Sequence, residues 1–290
     1  MLAALENGVK GGKWFSLIDK VYRKENLESA FKKVKKNGGG VDHVTVKGFE
    51  KDLDRQLNKL MEDLKAGTYE PQAARREYID KPGTNEKRPL GIPTVRDRVC
   101  EGAFRHVMEP IFEREFLGSS HGFRPKRSAK DALRMVDRGL KAGKGYVVDA
   151  DIKRYFDTIP HEPLLARVAE KIADGRVMGV LKQMLQRGVL ENREWVESEA
   201  GTPQGGVISP LLANVYLNPL DHMMQKSGYT FAEIDGWIRG RLRSILRKRA
   251  HLKGRGRGRD HQRWTNDFFK KHGYFSLYDT CVEMRQSAMR

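Results

Sequence analysis

An apolar stretch closes on a group of carboxylates at Val147-Val148-Asp149-Ala150-Asp151-Ile152-Lys153-Arg154-Tyr155-Phe156-Asp157. Tyr146, Val147 and Val148 favour extended backbone, so residues 145–151 read as a buried strand. Strand alternation then predicts Asp149, Asp151, Lys153, Tyr155 and Asp157 on one face. Carboxylates gathered at a strand end supply the oxygen ligands that magnesium takes in phosphoryl transfer. The competing reading is a strand end whose acids pair with nearby Lys and Arg. A second segment, Gly201-Thr202-Pro203-Gln204-Gly205-Gly206-Val207-Ile208-Ser209-Pro210, leads into Leu211-Leu212-Ala213-Asn214. Its glycines permit close approach of backbone to a ligand, and Ser209 stands where it could cap the following helix. It is not a P-loop, which needs Gly-Lys-Ser/Thr at the helix start.

Ordered elements must position these two segments. Asn26 is placed to cap a short basic helix to Lys36, stopped by Gly38-Gly39-Gly40. Phe49, Leu53, Leu57, Leu60, Met61 and Leu64 recur at helical spacing until Gly67. Strand-like pieces at 76–79 and 90–92 flank the turn residues Pro82-Gly83-Thr84-Asn85. Further helices are predicted over 97–114, over 128–141 with Ser128 as cap, over 162–186 and over 210–225, with a strand over 189–196. The alternation predicts an α+β core, helices packed on a small antiparallel sheet. No repeat of solenoid length is visible.

Fifty-five Lys and Arg face 38 Asp and Glu in 290 residues, a formal net charge of +17 that attracts polyanions. Nucleic acid is the expected partner. The charge is densest over 239–263, where Asp260 is the only acid and Gly254, Gly256 and Gly258 alternate with arginine, so a boundary is placed near Gly228. No apolar run approaches the roughly 18 residues of a membrane span, and residues 1–13 lack the apolar core of a secretory signal. The expectation is a cytoplasmic protein with no membrane partner. Cys100 and Cys281 are far apart and form no metal-ligand spacing, so both are read as ordinary thiols.

Four ordered blocks give a sharper reading: Lys81-Pro82 with Arg88-Pro89-Leu90-Gly91-Ile92-Pro93; Ser120-His121-Gly122-Phe123-Arg124-Pro125; Asp151-Ile152-Lys153 with Phe156-Asp157; and residues 201–210. In this order they closely resemble the successive blocks of group II intron reverse transcriptases. The resemblance extends to Lys13-Trp14-Phe15-Ser16-Leu17-Ile18-Asp19-Lys20-Val21-Tyr22 at the start. It extends also to Asp235-Gly236-Trp237-Ile238-Arg239 and the basic helix-like run after it, which is similar to the maturase-specific region.

The resemblance implies an α+β, partial right-hand polymerase, fingers and incomplete palm, followed by an α-helical maturase segment. The domains would be an N-terminal helical extension (1–70), fingers and partial palm (71–228), and a truncated RNA-binding maturase domain (229–290). Asp151 would match the first catalytic, magnesium-holding aspartate, and Phe156 the aromatic gate that senses the sugar 2′ position. Lys81 and Arg88 would match finger residues that neutralise a triphosphate, and Gln204 and Gly205 the turn that packs on template and nucleotide. Group II intron RNA would be the partner, with a DNA target or dNTP as further ligands.

One departure qualifies this picture. The family carries Tyr-x-Asp-Asp shortly after the helix that follows the glycine-rich turn, whereas here Ser227-Gly228-Tyr229 passes directly to Thr230-Phe231-Ala232-Glu233 and no two aspartates are adjacent anywhere. Two-metal chemistry needs ions bridged by more than one carboxylate. Asp149, Asp157 and Asp221 are the nearest substitutes, two of them beside Asp151 itself and the third on a predicted helix. DNA synthesis is therefore expected to be defective. The basic segment offers Arg239, Arg241, Arg243, Arg247, Lys248, Arg249, Arg255, Arg257 and Arg259 to phosphates. Trp237, Trp264, Phe268, Phe269 and Tyr274 could stack on bases or anchor a helical core. Three readings stay open: a reverse transcriptase/maturase defective in synthesis, a non-catalytic RNA-binding splicing factor, and a deletion remnant without function.

Overall fold

A computed structural model describes residues 5, 12–34, 38–80, 87–142, 152, 154–192, 194–202 and 205–226. In chain order the elements are α1 (Ile18–Val21), α2 (Lys24–Lys32), α3 (Val46–Glu50), α4 (Leu53–Ala66), β1 (Ala74–Asp80), β2 (Lys87–Ile92) and α5 (Val95–Glu113). They continue with α6 (Ala129–Lys141), α7 (Tyr155–Thr158), α8 (His161–Ala169), α9 (Gly175–Gln186), β3 (Val189–Glu191), β4 (Glu194–Val196) and α10 (Ser209–Lys226). Two compact units are present. One takes its described residues from Met1–Lys81, Asn85–Phe116 and Arg154–Leu220, the other from Leu117–Lys153 and Asp221–Arg290.

The first unit is organised by α5. Its face of Val99, Ala103, Phe104, Val107 and Met108 is fully buried, and it packs on α1, α2 and α4. Thr94 starts the helix by accepting the Asp97 N–H at 3.1 Å, which satisfies one of the free donors of the first turn. Asp97 in turn accepts the Tyr69 hydroxyl at 2.8 Å and the Gln72 N–H at 3.2 Å, fixing the approach to β1. The four-stranded sheet has the order β2-β1-β3-β4. β1 and β2 are antiparallel, with Arg76 opposite Gly91 and Asp80 opposite Lys87. β1 and β3 are parallel, with Ala74 opposite Val189, and β3 and β4 are antiparallel.

Several expectations need correction. The sheet is mixed rather than antiparallel, because β3 comes back alongside β1. Residues 189–196 form a hairpin instead of one strand, turning at Asn192, whose φ of +51° lies in the left-handed region that Asn tolerates. The helix expected over 162–186 is two, α8 and α9, because Asp174 caps α9 by accepting the Arg176 and Val177 N–H groups. Asn26 lies inside α2 and is not its N-cap, a position held by Arg23. Its buried amide donates to the carbonyls of Lys20, Val21 and Ala103 and ties α2 to α5. α4 ends at Gly67 as expected, in a left-handed cap at φ +78°. The strand expected over 145–151 falls outside the described residues.

Asp174 has a second task. Its Oδ2 accepts the backbone N–H groups of Leu17 and Ile18 at 2.7 and 2.9 Å, while Trp14 bonds through its backbone to Lys171 and Ala173. The N-terminal segment is thus fastened to the α8–α9 junction by one carboxylate and two backbone hydrogen bonds. Burial alone would raise the Asp174 carboxyl, but the N–H groups of Leu17, Ile18, Val177 and Arg176 outweigh it and hold the group below the usual carboxylate range. A depressed folded-state value means that this stability is present above the unfolded value and is lost as pH falls through the folded one. Asp174→Ala is expected to cost about 2 kcal/mol in urea unfolding at neutral pH, the difference from wild type shrinking as pH falls below about 4. An unchanged midpoint would show that the fastening contributes nothing.

In the second unit, the loop 117–128 is held by its own arginines. Arg124 Nη1 donates to the carbonyls of Leu117 and Ser120 at 2.5 and 2.7 Å, and Arg127 donates to Gly118 at 2.7 Å. Ser128 caps α6 as predicted, in a capping box with Asp131. Among the described residues no helix is long and apolar enough to cross a membrane. Cys100 is buried in α5, and burial pushes its thiol well above its ordinary value, so it is inert.

Candidate functional site

The glycine-rich turn is held at entry, middle and exit. At its entry the Gly201 and Thr202 N–H groups donate to the carbonyls of Ile159 and Phe156, each at 2.7 Å. His161, buried at the start of α8, meets the Gly201 carbonyl at 2.8 Å. Because a carbonyl only accepts, the ring must carry its proton on Nε2 there. Gly201 has φ +91°, and a Cβ on it would lie 2.8 Å from the carbonyl oxygens of Phe156 and Asp157. Gly205 has φ +114°, and a Cβ there would overlap the Gly91 carbonyl oxygen of β2. Both positions require glycine.

At the exit the Glu101 carboxylate, reaching from α5, accepts the N–H groups of Val207 and Ile208, the latter at 3.4 Å. Its other oxygen is paired with Arg187, which follows α9. The two side chains are 0% and 1% exposed. Burial works against the Arg187 charge, but Glu101 and Asp97 outweigh it and hold the guanidinium above its ordinary range. α10 begins at Ser209, so Ser209 is its first residue and not its cap.

The carboxylate segment differs from the expected strand. Arg154 has φ +53°, and Tyr155–Thr158 is a short helix, so the two-residue alternation does not reach Tyr155 or Asp157. Asp157 lies 3.4 Å from Arg154 Nε. Tyr155 donates its hydroxyl to the Ala213 carbonyl at 2.7 Å, and its ring meets that of Phe156 edge-on at 5.8 Å. The backbone of Phe156 is therefore bonded directly to the glycine-rich turn, and the turn presses on β2. Phe156 is thus tied to the entry of the turn, and the β2 backbone meets the same turn at Gly205.

Of the other candidates, Arg88 is described only through its backbone, paired with Ile79. Lys81, Asp149, Asp151, Lys153, Gln204 and all of the basic residues from Arg239 to Arg259 lie outside the described residues. Among the described residues no three His, Cys, Asp or Glu side chains gather as a metal site. Asp221 is pushed up to about 6 by burial, against the opposing pull of His222 and Arg124. A carboxyl that is partly protonated near neutral pH is a weak stand-in for an ionised magnesium ligand. The described donors do not fit magnesium.

Glu101, Arg187 and His161 are absent from the sequence-derived candidates. Glu101 offers no clear local signal, since the residues three and four positions away along the helix are Asp97, Arg98, Phe104 and Arg105, three of them charged. Residues 79–233, more than half of the chain, match the family described as reverse transcriptase (RNA-dependent DNA polymerase). The chain belongs to the reverse transcriptase family. Within that family its relatives include intron-encoded proteins. It is 42% identical over 182 residues to the group II intron-encoded protein LtrA of Lactococcus lactis, covering 63% of this chain and 30% of that protein. It is 40% identical over 192 residues to the YkfC protein of Escherichia coli, covering 64% of this chain and 50% of that one. The chain thus spans only 30% to 50% of the length of these relatives. A chain of a partial Cas6-RT-Cas1–Cas2 complex superposes with a TM-score of 0.50 at 19% identity, covering 73% of this chain and 35% of that chain. That likeness supports the reverse transcriptase fold. The chain's likeness to the group II intron-encoded protein is one of sequence over 182 residues.

Proposed function

We propose that this protein serves as a maturase-type member of the group II intron reverse transcriptases, binding intron RNA for splicing while defective in DNA synthesis. The observation that carries the reading is a family match running from 79 to 233 in a chain with no adjacent aspartates anywhere. In this reading the β1–β2 hairpin, with Lys81 and Arg88, belongs to the fingers. α7, with Phe156, and the glycine-rich turn, with Gln204 and Gly205, belong to an incomplete palm. Residues 229–290 form the RNA-binding segment, its arginines and lysines neutralising phosphates. Magnesium, the family's metal, would be offered Asp151 without a Tyr-x-Asp-Asp partner. Two-metal displacement asks for more carboxylate than that.

Primer extension by the full chain on an RNA template with magnesium is expected to incorporate no dNTP. Incorporation that Asp151→Ala abolishes would overturn the defective-synthesis part. Binding to a structured group II intron RNA is expected to weaken steeply with salt and to exceed binding to an unrelated structured RNA. Equal affinity for the two RNAs would sink the maturase part.

A further inference from the structure

We propose that the buried Glu101–Arg187 pair is a positioning element that sets the exit of the glycine-rich turn against its nucleic-acid ligand. This rests on the reading above, in which that turn packs on template.

A fully buried ion pair is a poor way to gain stability, since apolar side chains of the same volume do as well or better. Glu101 does something that no apolar residue could. One carboxylate oxygen accepts the N–H groups of Val207 and Ile208, which lead from the turn into α10. The other oxygen is occupied by Arg187, and Arg187 connects α9 to β3. Through two side chains the turn is referred to the central helix and to the sheet at once. Its entry is referred separately to α7 and α8 by Phe156, Ile159 and His161. Gly205, between the two holds, touches the Gly91 carbonyl of β2. With entry and exit fixed, the turn has one distance from β2. Glu101 touches no ligand in this arrangement and acts only through the backbone it holds.

The geometry also predicts which substitution should undo the effect and which should restore it. In Glu101→Gln the amide has one accepting and one donating end. If the oxygen faces Val207, the NH2 faces Arg187, donor against donor. If it faces Arg187, the NH2 faces the Val207 N–H. Both holds cannot be kept. Replacing Arg187 with Met removes the second donor, so the Gln oxygen in Glu101→Gln/Arg187→Met is free to hold Val207.

The test uses the full chain. Amide exchange at Val207 and Ile208 is read beside exchange at Val107 and Met108 in the core of α5. Affinity for an RNA template–DNA primer duplex is measured across a salt series. Glu101→Gln is expected to speed exchange at Val207 and Ile208 roughly ten- to a hundredfold, with the α5 amides unmoved. It is expected to weaken duplex binding about tenfold with an unchanged salt slope, because no phosphate contact is lost. The double variant is expected to recover most of both. Unchanged exchange at Val207 overturns the hold itself. Faster exchange with unaltered affinity overturns the positioning role, as does an affinity loss that the double variant deepens. If wild type binds no duplex while exchange responds as expected, the reading of the turn as nucleic-acid-facing fails, and the proposal falls with it.

Discussion

Arg187→Met is expected to lower the stability of the first unit by about 3–5 kcal/mol, the cost typical of removing one partner from a buried ion pair. Most of that cost is the carboxylate left behind. Glu101 is 0% exposed, and the buried Asp97 lies near enough for each carboxylate to oppose the other's charge. Asp97 is already raised by burial, with bonds from Thr94 and Tyr69 and the Arg187 charge acting against the shift. Without the guanidinium, two carboxylates share one apolar surrounding: Asp97 keeps the Tyr69 hydroxyl and the Gln72 N–H, Glu101 keeps the Val207 and Ile208 N–H groups, and the cation paired with Glu101 is gone. Asp97, already raised by burial, loses the Arg187 charge that opposes the shift and rises further, so the deficit should narrow between neutral and mildly acidic pH. The sign follows from the linkage: a carboxyl made harder to ionise on folding weakens the folded state most where the unfolded chain is ionised. Urea unfolding of Arg187→Met and of Glu101→Gln/Arg187→Met checks both points. The double variant should be the more stable, since it no longer leaves a second buried carboxylate beside Asp97. A single variant as stable as wild type, or a deficit that does not depend on pH, would show that the pair is not desolvated.

The parts of the fold that are legible in the sequence are those whose cause is local. Leu53, Leu57, Leu60, Met61 and Leu64 keep helical phase, and Gly67 supplies the left-handed cap, so the course and the end of α4 follow from its own residues. Ser128 and Asp131 at capping-box spacing do the same for the start of α6. The errors have tertiary causes. Leu164, Val168 and Ile172 continue in phase, but the next buried apolar residue, Val177, comes five positions later. That slip is the local sign of a break at Asp174. The parallel pairing of β1 with β3 joins residues more than a hundred positions apart, and no local pattern encodes it. The functional site divides in the same way. Phe156 and Gly205 follow from the order of sequence blocks. Glu101, Arg187 and His161 act one layer behind them, where a side chain is defined by the backbone group it meets and not by any spacing.

Gly205→Ala is expected to cost roughly 2–4 kcal/mol, and the cost should fall on one contact rather than on the whole unit. Two penalties coincide there. A φ of +114° is open to glycine and closed to L side chains. The added methyl group would also overlap the Gly91 carbonyl oxygen. That oxygen cannot easily give way, because Gly91 lies in β2 opposite Arg76, in a strand paired from Ile92 to Lys87. The turn cannot easily retreat either, being bonded to Phe156 and Ile159 before Gly205 and to Glu101 after it. Relief must come from separating β2 from the turn, which should appear as faster amide exchange in β2 and at Val207 before any global loss. Gly179→Ala is the matched comparison. Gly179 lies inside α9 with nothing within 4 Å of an added Cβ, so the same chemical change there should stabilise by about 0.5–1 kcal/mol through helix propensity alone. Opposite signs at the two glycines would tie the penalty to the contact with β2. A Gly205→Ala protein as stable as wild type, with unchanged exchange in β2, would mean that the turn does not press on the hairpin and that its three-point hold is not how this site is built.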